Sequence, residues 1–344
     1  MTTTDNSNKT VLITGGTGSF GKTMVMHLLK QGFGEIRIFS RDEWKQEDMR
    51  VRLANPRLKF YIGDIRNKSS IDSAMEGVNL VFHAAALKQV PSCEFFPMEA
   101  VATNVTGSFN VVDAAVNHKV DCCVCLGTDK AVYPVNTMGM TKALMEKVAQ
   151  SFARRLKKSD TKVCSVRYGN VMYSRGSVIP LFIRQIKENS AITVTDPRMT
   201  RFMLPLSQSV ELVQFAFTNA QQGDIFIKKA VACTIDTLVV ALKELFESTV
   251  DVHHIGTRHG EKLHEVLASA EELRRAEDMG DFFRISMDER DLDYSKYFTQ
   301  GDPELDATQD YASDSGKMLN VEETKELLLS LPEIKTELGI TASA

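Results

Sequence analysis

The sequence predicts a doubly wound α/β fold built around a parallel sheet, and three features indicate it. Short apolar, β-rich runs alternate with longer helical patterns through the first half of the chain. These runs are apolar almost throughout, which is typical of parallel strands that helices cover on both faces. A glycine-rich turn joins the first run to the first helical segment, as in Rossmann folds.

Six strands are predicted before residue 175. Their ranges are 9–14, 35–40, 58–63, 79–85, 121–127 and 162–168. After residue 175 the regular alternation fades. We expect a helix near 178–189, a strand at 191–195 and helices near 206–221 and 235–248. The sequence therefore predicts a Rossmann domain at 1–175, to which later segments can return, a smaller mixed α/β region at 176–284 and an extension at 285–344.

Composition excludes several classes of protein. The 344 residues include 41 Lys plus Arg and 45 Asp plus Glu, for a net charge of −4, which gives no electrostatic reason to expect binding to nucleic acid or to an anionic membrane. No apolar run approaches the roughly 20 residues that cross a bilayer. The N-terminus has no signal-peptide pattern, so we expect a cytoplasmic protein.

Cysteine and histidine spacing predicts no metal site. Cys122, Cys123 and Cys125 fall within a predicted strand, at a spacing that fits neither a zinc site nor a redox pair, so we interpret them as reduced strand residues. Four histidines between residues 253 and 264 are irregularly spaced.

The extension is strongly acidic. Residues 285–316 carry nine Asp and Glu against two Lys and Arg. One interpretation is a solvated tail. The other is an arm that lies on a neighbouring subunit, anchored by a helix at 321–331 and by four aromatic side chains. These aromatic residues are Tyr294, Tyr297, Phe298 and Tyr311.

The glycine-rich turn predicts a dinucleotide site. Glycines at 15, 18 and 21 allow a tight turn and a close approach to a diphosphate, and the following helix N-terminus supplies free N–H donors. The alternative is a turn that only joins a strand to a helix. The residues expected to contact the cofactor here are Gly15, Thr17, Gly18, Ser19, Phe20 and Gly21.

The end of the second strand favours NADP over NAD. Arg41 and Lys45 can neutralise a 2′-phosphate and Ser40 can hydrogen-bond it. Asp42 and Glu43 argue for NAD if either turns inward. After the third strand, Asp64 and Ile65 are expected to contact adenine, the alternative for that pair being a helix cap.

Ten further segments carry a family resemblance. In chain order they are TGGTGSFG (14–21), IFSRDE (38–43), HAAALKQVP (83–91), TNVTG (103–107), TDK (128–130), MGMTK (138–142), RYGNV (167–171), SRGSVIP (174–180), TDPRMTRF (195–202) and GTRHGEK (256–262). Together they resemble the extended short-chain dehydrogenase/reductases. More narrowly, they are similar to the inverting UDP-N-acetylglucosamine 4,6-dehydratases, including the capsular polysaccharide branch that starts UDP-N-acetyl-L-fucosamine synthesis.

The resemblance implies a reaction without net redox change. Bound NADP+ takes a hydride from C4, water leaves across C5 and C6, the hydride returns to C6 and C5 is inverted. The product would be UDP-2-acetamido-2,6-dideoxy-β-L-arabino-hexos-4-ulose. By the same resemblance Lys130 is the C5 base and Asp129 the acid for the C6 hydroxyl. We expect Thr128 to position the C4 hydroxyl. Burial or a neighbouring positive charge would have to lower the pKa of Lys130 for that role.

Met138 departs from the superfamily pattern. The related enzymes use a Tyr-x-x-x-Lys pair in which the phenolate takes the hydroxyl proton, and here Lys142 is retained while Met138 replaces the tyrosine. We therefore expect Lys130 or Asp129 to take the C4 proton, and Lys142 to bind the nicotinamide ribose. Two alternatives stay open: a UDP-sugar 4-epimerase, which needs no C5 base or C6 acid, and a catalytically silent NADP-binding scaffold.

The remaining expectations concern the substrate and assembly. Arg201 and Arg258 are candidates for the diphosphate, and Glu261 for a uridine or ribose hydroxyl. The resemblance implies closed homo-oligomers, often hexamers. Residues expected near the sugar or its phosphates are Lys88, Asn170, Arg175, Ser177 and Val178. Further cofactor contacts are expected from Ala84, Ala85, Lys88 and Asn104.

Overall fold

The computed structural model describes residues 5–157, 160–174, 176–288 and 309–340. The strands of the first half are β1 (Thr10–Thr14), β2 (Glu35–Ser40), β3 (Leu58–Ile62), β4 (Leu80–His83), β5 (Cys122–Leu126) and β6 (Lys162–Arg167). The later strands are β7 (Ile192–Val194), β8 (Thr200–Met203), β9 (Ile225–Lys228), β10 (Val231–Thr234), β11 (Val252–His254), β12 (Val266–Ala268), β13 (Ala276–Asp278), β14 (Phe282–Ile285) and β15 (Tyr311–Ala312).

Helices separate most of these strands. They are α1 (Ser19–Lys30), α2 (Glu43–Leu53), α3 (Lys68–Met75), α4 (Val90–Phe95), α5 (Pro97–Ala100), α6 (Ser108–Asn117), α7 (Thr137–Ala153), α8 (Val178–Lys187), α9 (Leu206–Asn219), α10 (Ile235–Leu245), α11 (Ala270–Leu273), α12 (Val321–Leu329) and α13 (Pro332–Glu337). A π-helical turn covers Val101–Gly107, and a 3₁₀ turn covers Asp129–Ala131. None of the described helices is long and apolar enough to span a membrane.

A nine-stranded sheet forms the centre, in the order β3-β2-β1-β4-β5-β6-β9-β14-β13. The first seven strands in this order are parallel, and β14 and β13 add an antiparallel edge. The doubly wound prediction is confirmed. Strands β2 and β3 are added on one side of β1, and β4 and the later strands on the other side. This change in the order of addition places a crevice at the carboxyl ends of β1 and β4, where ligands bind in such folds.

Helices cover both faces of this sheet. Met24, Met49 and Leu212 from α1, α2 and α9 pack on one face, and Ile71, Val111 and Met145 from α3, α6 and α7 pack on the other. The central strands β1, β4 and β5 are therefore buried on both sides. The three cysteines of β5 are buried and unpaired, as expected.

The later part of the chain contributes to the same sheet. Strands β9, β14 and β13 were not predicted, because each is only three or four residues long and lies between polar turns. A separate core holds α8, α10, β7 and β8 together.

The described part of the extension packs on its own chain. Leu328 of α12 is fully buried in the core that contains Leu242 of α10. The Tyr311 ring lies 5.4 Å from that of Phe202 and 5.5 Å from that of Phe283. Helix α12 and Tyr311 thus pack against two cores of their own chain, and neither forms a solvated tail or an arm that leaves the chain for a neighbouring subunit. The three other aromatic residues of the predicted arm lie outside the described residues.

Candidate active site

The turn after β1 is shaped for a close ligand. Gly15 has a φ of +69°, and a Cβ there would lie 2.9 Å from the Ala85 Cα, so only glycine fits. A Cβ on Gly21 would lie 2.5 Å from the Gly16 Cα. Helix α1 begins at Ser19, with Gly18 as its N-cap and no side chain capping its first turn. This turn fits a diphosphate, because no side chain caps the first N–H groups of α1 and no Cβ fills the approach.

A cleft of about 720 Å³ runs from this turn to the carboxyl end of β5. It brings together most of the residues predicted from the sequence. The predicted cofactor residues that line it are Gly15, Thr17, Gly18, Ser19, Phe20, Gly21, Ser40, Arg41, Lys45, Asp64, Ile65, Ala84, Ala85, Lys88 and Lys142. Thr128, Asp129, Lys130, Met138 and Asn170 line the same cleft.

The charged side chains that follow β2 form ion pairs, one of them with Asp64 after β3. The Asp42 carboxylate caps α2 by accepting from the Lys45 backbone N–H at 3.0 Å, and it also pairs with the Lys45 ammonium. Arg41 lies 3.6 Å from the Asp64 carboxylate. The Ser40 hydroxyl accepts from the Gln46 amide at 3.0 Å. Asp42 is therefore engaged with its own helix, and Glu43 is exposed in the first turn of α2.

The centre of the site is an ion pair just after β5, between the buried Asp129 and the partly buried Lys130. The 3₁₀ turn places the Lys130 Nζ 3.0 Å from Asp129 Oδ1, and the Thr128 hydroxyl donates to the same oxygen at 2.8 Å. The Asp129 side chain is 1% exposed. Its Oδ2 is buried and has no hydrogen-bond partner among the described residues, which leaves one carboxylate oxygen for a ligand.

Lys130 also faces a second carboxylate that sequence reasoning missed. Glu265 Oε1 lies 3.4 Å from the Lys130 Nζ, and the Glu265 side chain is 3% exposed. Burial alone would lower the pKa of Lys130, but the carboxylates of Asp129 and Glu265 outweigh it and raise that pKa. The available signal was an acidic residue at the start of a short apolar run, three residues beyond the GTRHGEK segment.

Lys142, which we expect to bind the nicotinamide ribose, lies in α7 one turn after Met138. Its side chain is buried, lines the cleft and donates to the Leu126 carbonyl oxygen. Burial lowers its pKa to about 8. One turn earlier, Met138 is 4% exposed and packs in a small apolar cluster with Cys93 and Ala100. No proton acceptor replaces the tyrosine at that position.

The nearby tyrosines do not supply the missing phenolate. Tyr168 lines the cleft and stacks on Phe20 with ring centroids 5.6 Å apart, but burial, reinforced by Asp129, raises its pKa well above the ordinary value. Tyr133 is exposed, and its hydroxyl donates to Asp310 at 3.3 Å.

Asn104 lies behind the cleft and does not line it. It is fully buried, and its amide both accepts from the Leu87 N–H and donates to the Leu87 carbonyl oxygen. It also donates to the Thr141 hydroxyl at 3.0 Å. Asn104 therefore fixes the loop after β4 to α7, so any effect on the cofactor is indirect.

The predicted substrate residues are divided. Lys88 and Asn170 line the cleft, and Asn170 Oδ1 is buried with no hydrogen-bond partner in the described part of the chain. Arg201 lies just behind, 3.8 Å from Glu265 Oε1. The residues outside the cleft are Arg258 and Glu261, which pair at 3.9 Å, and Ser177 and Val178 at the start of α8. Arg175 lies outside the described residues.

Comparison with protein families decides the assignment. A family model described as polysaccharide biosynthesis protein matches residues 11–287. The chain belongs to this family. A second model, for the C-terminal part of polysaccharide biosynthesis proteins, matches residues 288–335. The extension is thus a regular part of such polysaccharide biosynthesis proteins.

Individual relatives carry different names. A protein of Rickettsia rickettsii (strain Sheila Smith) named UDP-glucose 4-epimerase is 57% identical over 335 residues, covering 96% of this chain and 98% of the relative. The X-ray structure of Pen from Bacillus thuringiensis matches with a TM-score of 0.86 and 37% identity, covering 95% of this chain and 100% of Pen.

A more distant structure shows the fold alone. DesIV, the dTDP-glucose 4,6-dehydratase of Streptomyces venezuelae, solved with NAD bound, matches with a TM-score of 0.67 and 21% identity, covering 74% of this chain and 86% of DesIV. This polysaccharide biosynthesis protein therefore has the short-chain dehydrogenase/reductase fold that nucleotide-sugar dehydratases and epimerases share. Its cleft lies at the crevice where that fold binds nicotinamide cofactors.

Proposed function

We propose that this chain is a configuration-inverting UDP-N-acetylglucosamine 4,6-dehydratase. The observation that carries the proposal is the ion pair of buried Asp129 and partly buried Lys130 in the same cleft as the glycine-rich turn. Hydride transfer at C4 needs one group to take a hydroxyl proton. Elimination of water needs a base and an acid as well, and this pair supplies both.

The ion pair and the catalytic roles differ by one proton. Lys130 enters the reaction as the neutral amine, and Asp129 becomes the carboxylic acid when it receives the C4 proton; their 3.0 Å ion pair is the form that remains after elimination. The amine takes the C5 proton and the acid protonates the departing C6 hydroxyl. Elimination thus leaves an ammonium and a carboxylate, and the proton given to the C6 hydroxyl is the one that Asp129 took from C4.

The cofactor we propose is NADP, held by the turn that includes Gly15 and Gly18, with Lys142 at the nicotinamide ribose and Arg41 and Lys45 at the 2′-phosphate. When bound, it supplies the oxidant for C4 and the hydride that returns to C6. Because Arg41 and Lys45 are already paired with carboxylates, a phosphate would have to compete with Asp64 and Asp42.

The C4 hydroxyl needs a different base from the usual tyrosine. Met138 cannot accept a proton, and the raised pKa of Tyr168 opposes a phenolate. The Thr128 hydroxyl donates to Asp129 Oδ1, so Thr128 can accept the C4 proton while passing its own to Asp129. We therefore assign the C4 proton to Asp129 through Thr128.

A UDP-sugar 4-epimerase is the second candidate, favoured by the name of the Rickettsia relative. An epimerase would leave C5 and C6 untouched. An epimerase needs a base only for the C4 hydroxyl, so it would leave one member of the Asp129–Lys130 pair without a role. It would also still lack the phenolate that usually serves as that base. The acid–base pair therefore supports the dehydratase more strongly.

One incubation separates the two candidates. Purified protein is mixed with UDP-N-acetylglucosamine, and in parallel with UDP-glucose, in D2O without added cofactor, and the products are analysed by mass spectrometry and proton NMR. A dehydratase gives a product that has lost one water and carries deuterium at C5 in an L-configured ring. A C4 epimer of unchanged mass contradicts the proposal and supports the epimerase.

A further inference from the structure

Glu265 is a buried carboxylate at the catalytic pair that the proposed roles do not use. Its Oε1 lies 3.4 Å from the Lys130 Nζ and 3.8 Å from the Arg201 Nε, so it bridges two cations. Its Oε2 is buried and makes no hydrogen bond to any described residue. A buried carboxylate loses several kcal/mol of hydration, so retaining one with an unpartnered oxygen is typical of a functional site.

The backbone holds Glu265 in place. The residue immediately precedes β12, which pairs with β15, and its N–H donates to the Ser313 hydroxyl at 2.9 Å. The same hydroxyl contacts the Thr200 hydroxyl and carbonyl oxygen on β8. The backbone of Glu265 is therefore held in place, and its side chain reaches the Lys130 Nζ.

Charged groups from three directions act on Lys130. Asp129 belongs to the turn after β5, Arg201 to β8, and Glu265 and Lys262 to the segment that leads into β12. The two carboxylates stabilise the Lys130 ammonium, and Arg201 opposes it. Burial lowers the pKa of Lys262, whose Nζ donates to the Val132 carbonyl oxygen.

We propose that Glu265 is a positioning residue that holds the Lys130 Nζ beside Asp129 and stabilises the ammonium that forms when Lys130 takes the C5 proton. This inference rests on the proposed dehydratase. In the elimination the C5–H bond breaks, its electron pair forms the C5–C6 double bond, and the proton moves to Lys130. The C6–O bond breaks with a proton from Asp129, which releases water. Positive charge thus develops on Lys130 at 3.4 Å from a fixed negative charge.

The test separates the effect of the Glu265 charge from the effect of its size. Glu265→Gln keeps the size and hydrogen-bonding capacity but removes the charge, so we expect kcat to fall roughly 10- to 100-fold with little change in KM. Because the charge of Glu265 favours protonated Lys130, its loss moves the acid limb of the pH–rate profile down by about one pH unit or more. Glu265→Asp, with the charge drawn back, gives a smaller shift in the same direction.

The matched control is Glu271→Gln, which removes a carboxylate that is exposed on α11 and pairs only with Arg275 among the described residues. It is expected to keep the wild-type profile. A wild-type acid limb in both folded Glu265 variants overturns the inference, and so does a Glu265→Gln enzyme with unchanged kcat.

A second measurement does not depend on the substrate. Titration of Lys130 is followed by NMR in 13C-lysine-labelled wild type and Glu265→Gln, with Lys130→Met used to assign the resonance. A lower midpoint in Glu265→Gln supports the inference, and an equal midpoint overturns it. If the wild type yields no dehydrated sugar the proposed function fails, while this titration still decides the role of Glu265.

Discussion

At the scale of single residues, substitutions of Lys130 and Met138 are expected to affect turnover differently. Lys130→Ala removes the C5 base and is expected to abolish water elimination while the glycine-rich turn still binds NADP. Met138→Ala removes a side chain without a proton acceptor, so appreciable turnover is expected. Product formation by mass spectrometry and the nucleotide content of the purified proteins check both. Equal and complete inactivation of the two variants would show that these roles are wrong.

Lys142 is expected to act on cofactor retention. Its buried amine lines the cleft, and burial has already lowered its pKa to about 8. Lys142→Met fills the same space without a donor, so less nucleotide should copurify, by about 10-fold or more, while the protein stays folded. Absorbance of the released nucleotide measures this, and unchanged nucleotide content would remove Lys142 from the cofactor site.

His83 predicts a pH dependence of stability. It is buried between the Thr14 and Ser108 hydroxyls, and burial lowers its pKa to about 3. The unfolded chain binds a proton near pH 6.5 and the folded chain does not, so stability falls as the pH drops below that value. Between about pH 7 and pH 5 this loss amounts to about 2 kcal/mol.

The matched variant for that prediction is His83→Gln, which can donate to Ser108 and accept from Thr14 without titrating. Urea unfolding at the two pH values is expected to show a smaller loss of stability in His83→Gln than in wild type. Equal losses would mean that His83 does not contribute to the acid sensitivity.

At the scale of elements, the turn from β1 to α1 is expected to bind the cofactor only while its glycine conformation is kept. Gly15→Ala places a Cβ in the left-handed region and 2.9 Å from Ala85. Gly32 also has a positive φ, but nothing lies within 4 Å of the position that a Cβ would take there, so Gly32→Ala isolates the strain. We expect Gly32→Ala to lose about 1–2 kcal/mol of unfolding free energy, and Gly15→Ala to lose more because of its close contact with Ala85. Only Gly15→Ala should also lose bound nucleotide, and comparable nucleotide content in the two would contradict this.

The sequence predicted those elements that are long and strongly patterned. The six strands of the first half agree with the structure to within about two residues, because each carries a run of apolar residues that stands out from its neighbours. Strand β9 contains only Ile225–Lys228. A run this short has no detectable periodicity, so the sequence could not indicate that it joins a sheet formed by much earlier segments.

Within the site, contiguous segments were predictable and distant contacts were not. Thr128, Asp129 and Lys130 are adjacent in the chain, so one turn exposes them together. Glu265 reaches Lys130 only through the pairing of β12 with β15, a contact that depends on the whole fold. Arg258 and Glu261 were predicted from their segment alone, and the structure places them outside the cleft.

At the scale of the whole molecule, we propose a homo-oligomer, with a hexamer as the expected form. A set of exposed apolar side chains on and between α4 and α5 supports assembly, with Phe95 80%, Phe96 63% and Met98 72% exposed. Light scattering is expected to give a multiple of the 38.3 kDa chain mass, and Phe95→Ser with Met98→Ser is expected to lower it. A wild-type mass near that of one chain would contradict the proposal.

The central claim is that the Asp129–Lys130 pair eliminates water after C4 is oxidised. The most direct measurement is rapid mixing of Lys130→Met holoenzyme with UDP-N-acetylglucosamine, followed by the absorbance of reduced nicotinamide and the mass of the sugar nucleotide. The account predicts that reduced nicotinamide accumulates and persists, with no loss of water from the sugar. Release of the dehydrated product at a rate close to that of the wild type would contradict it.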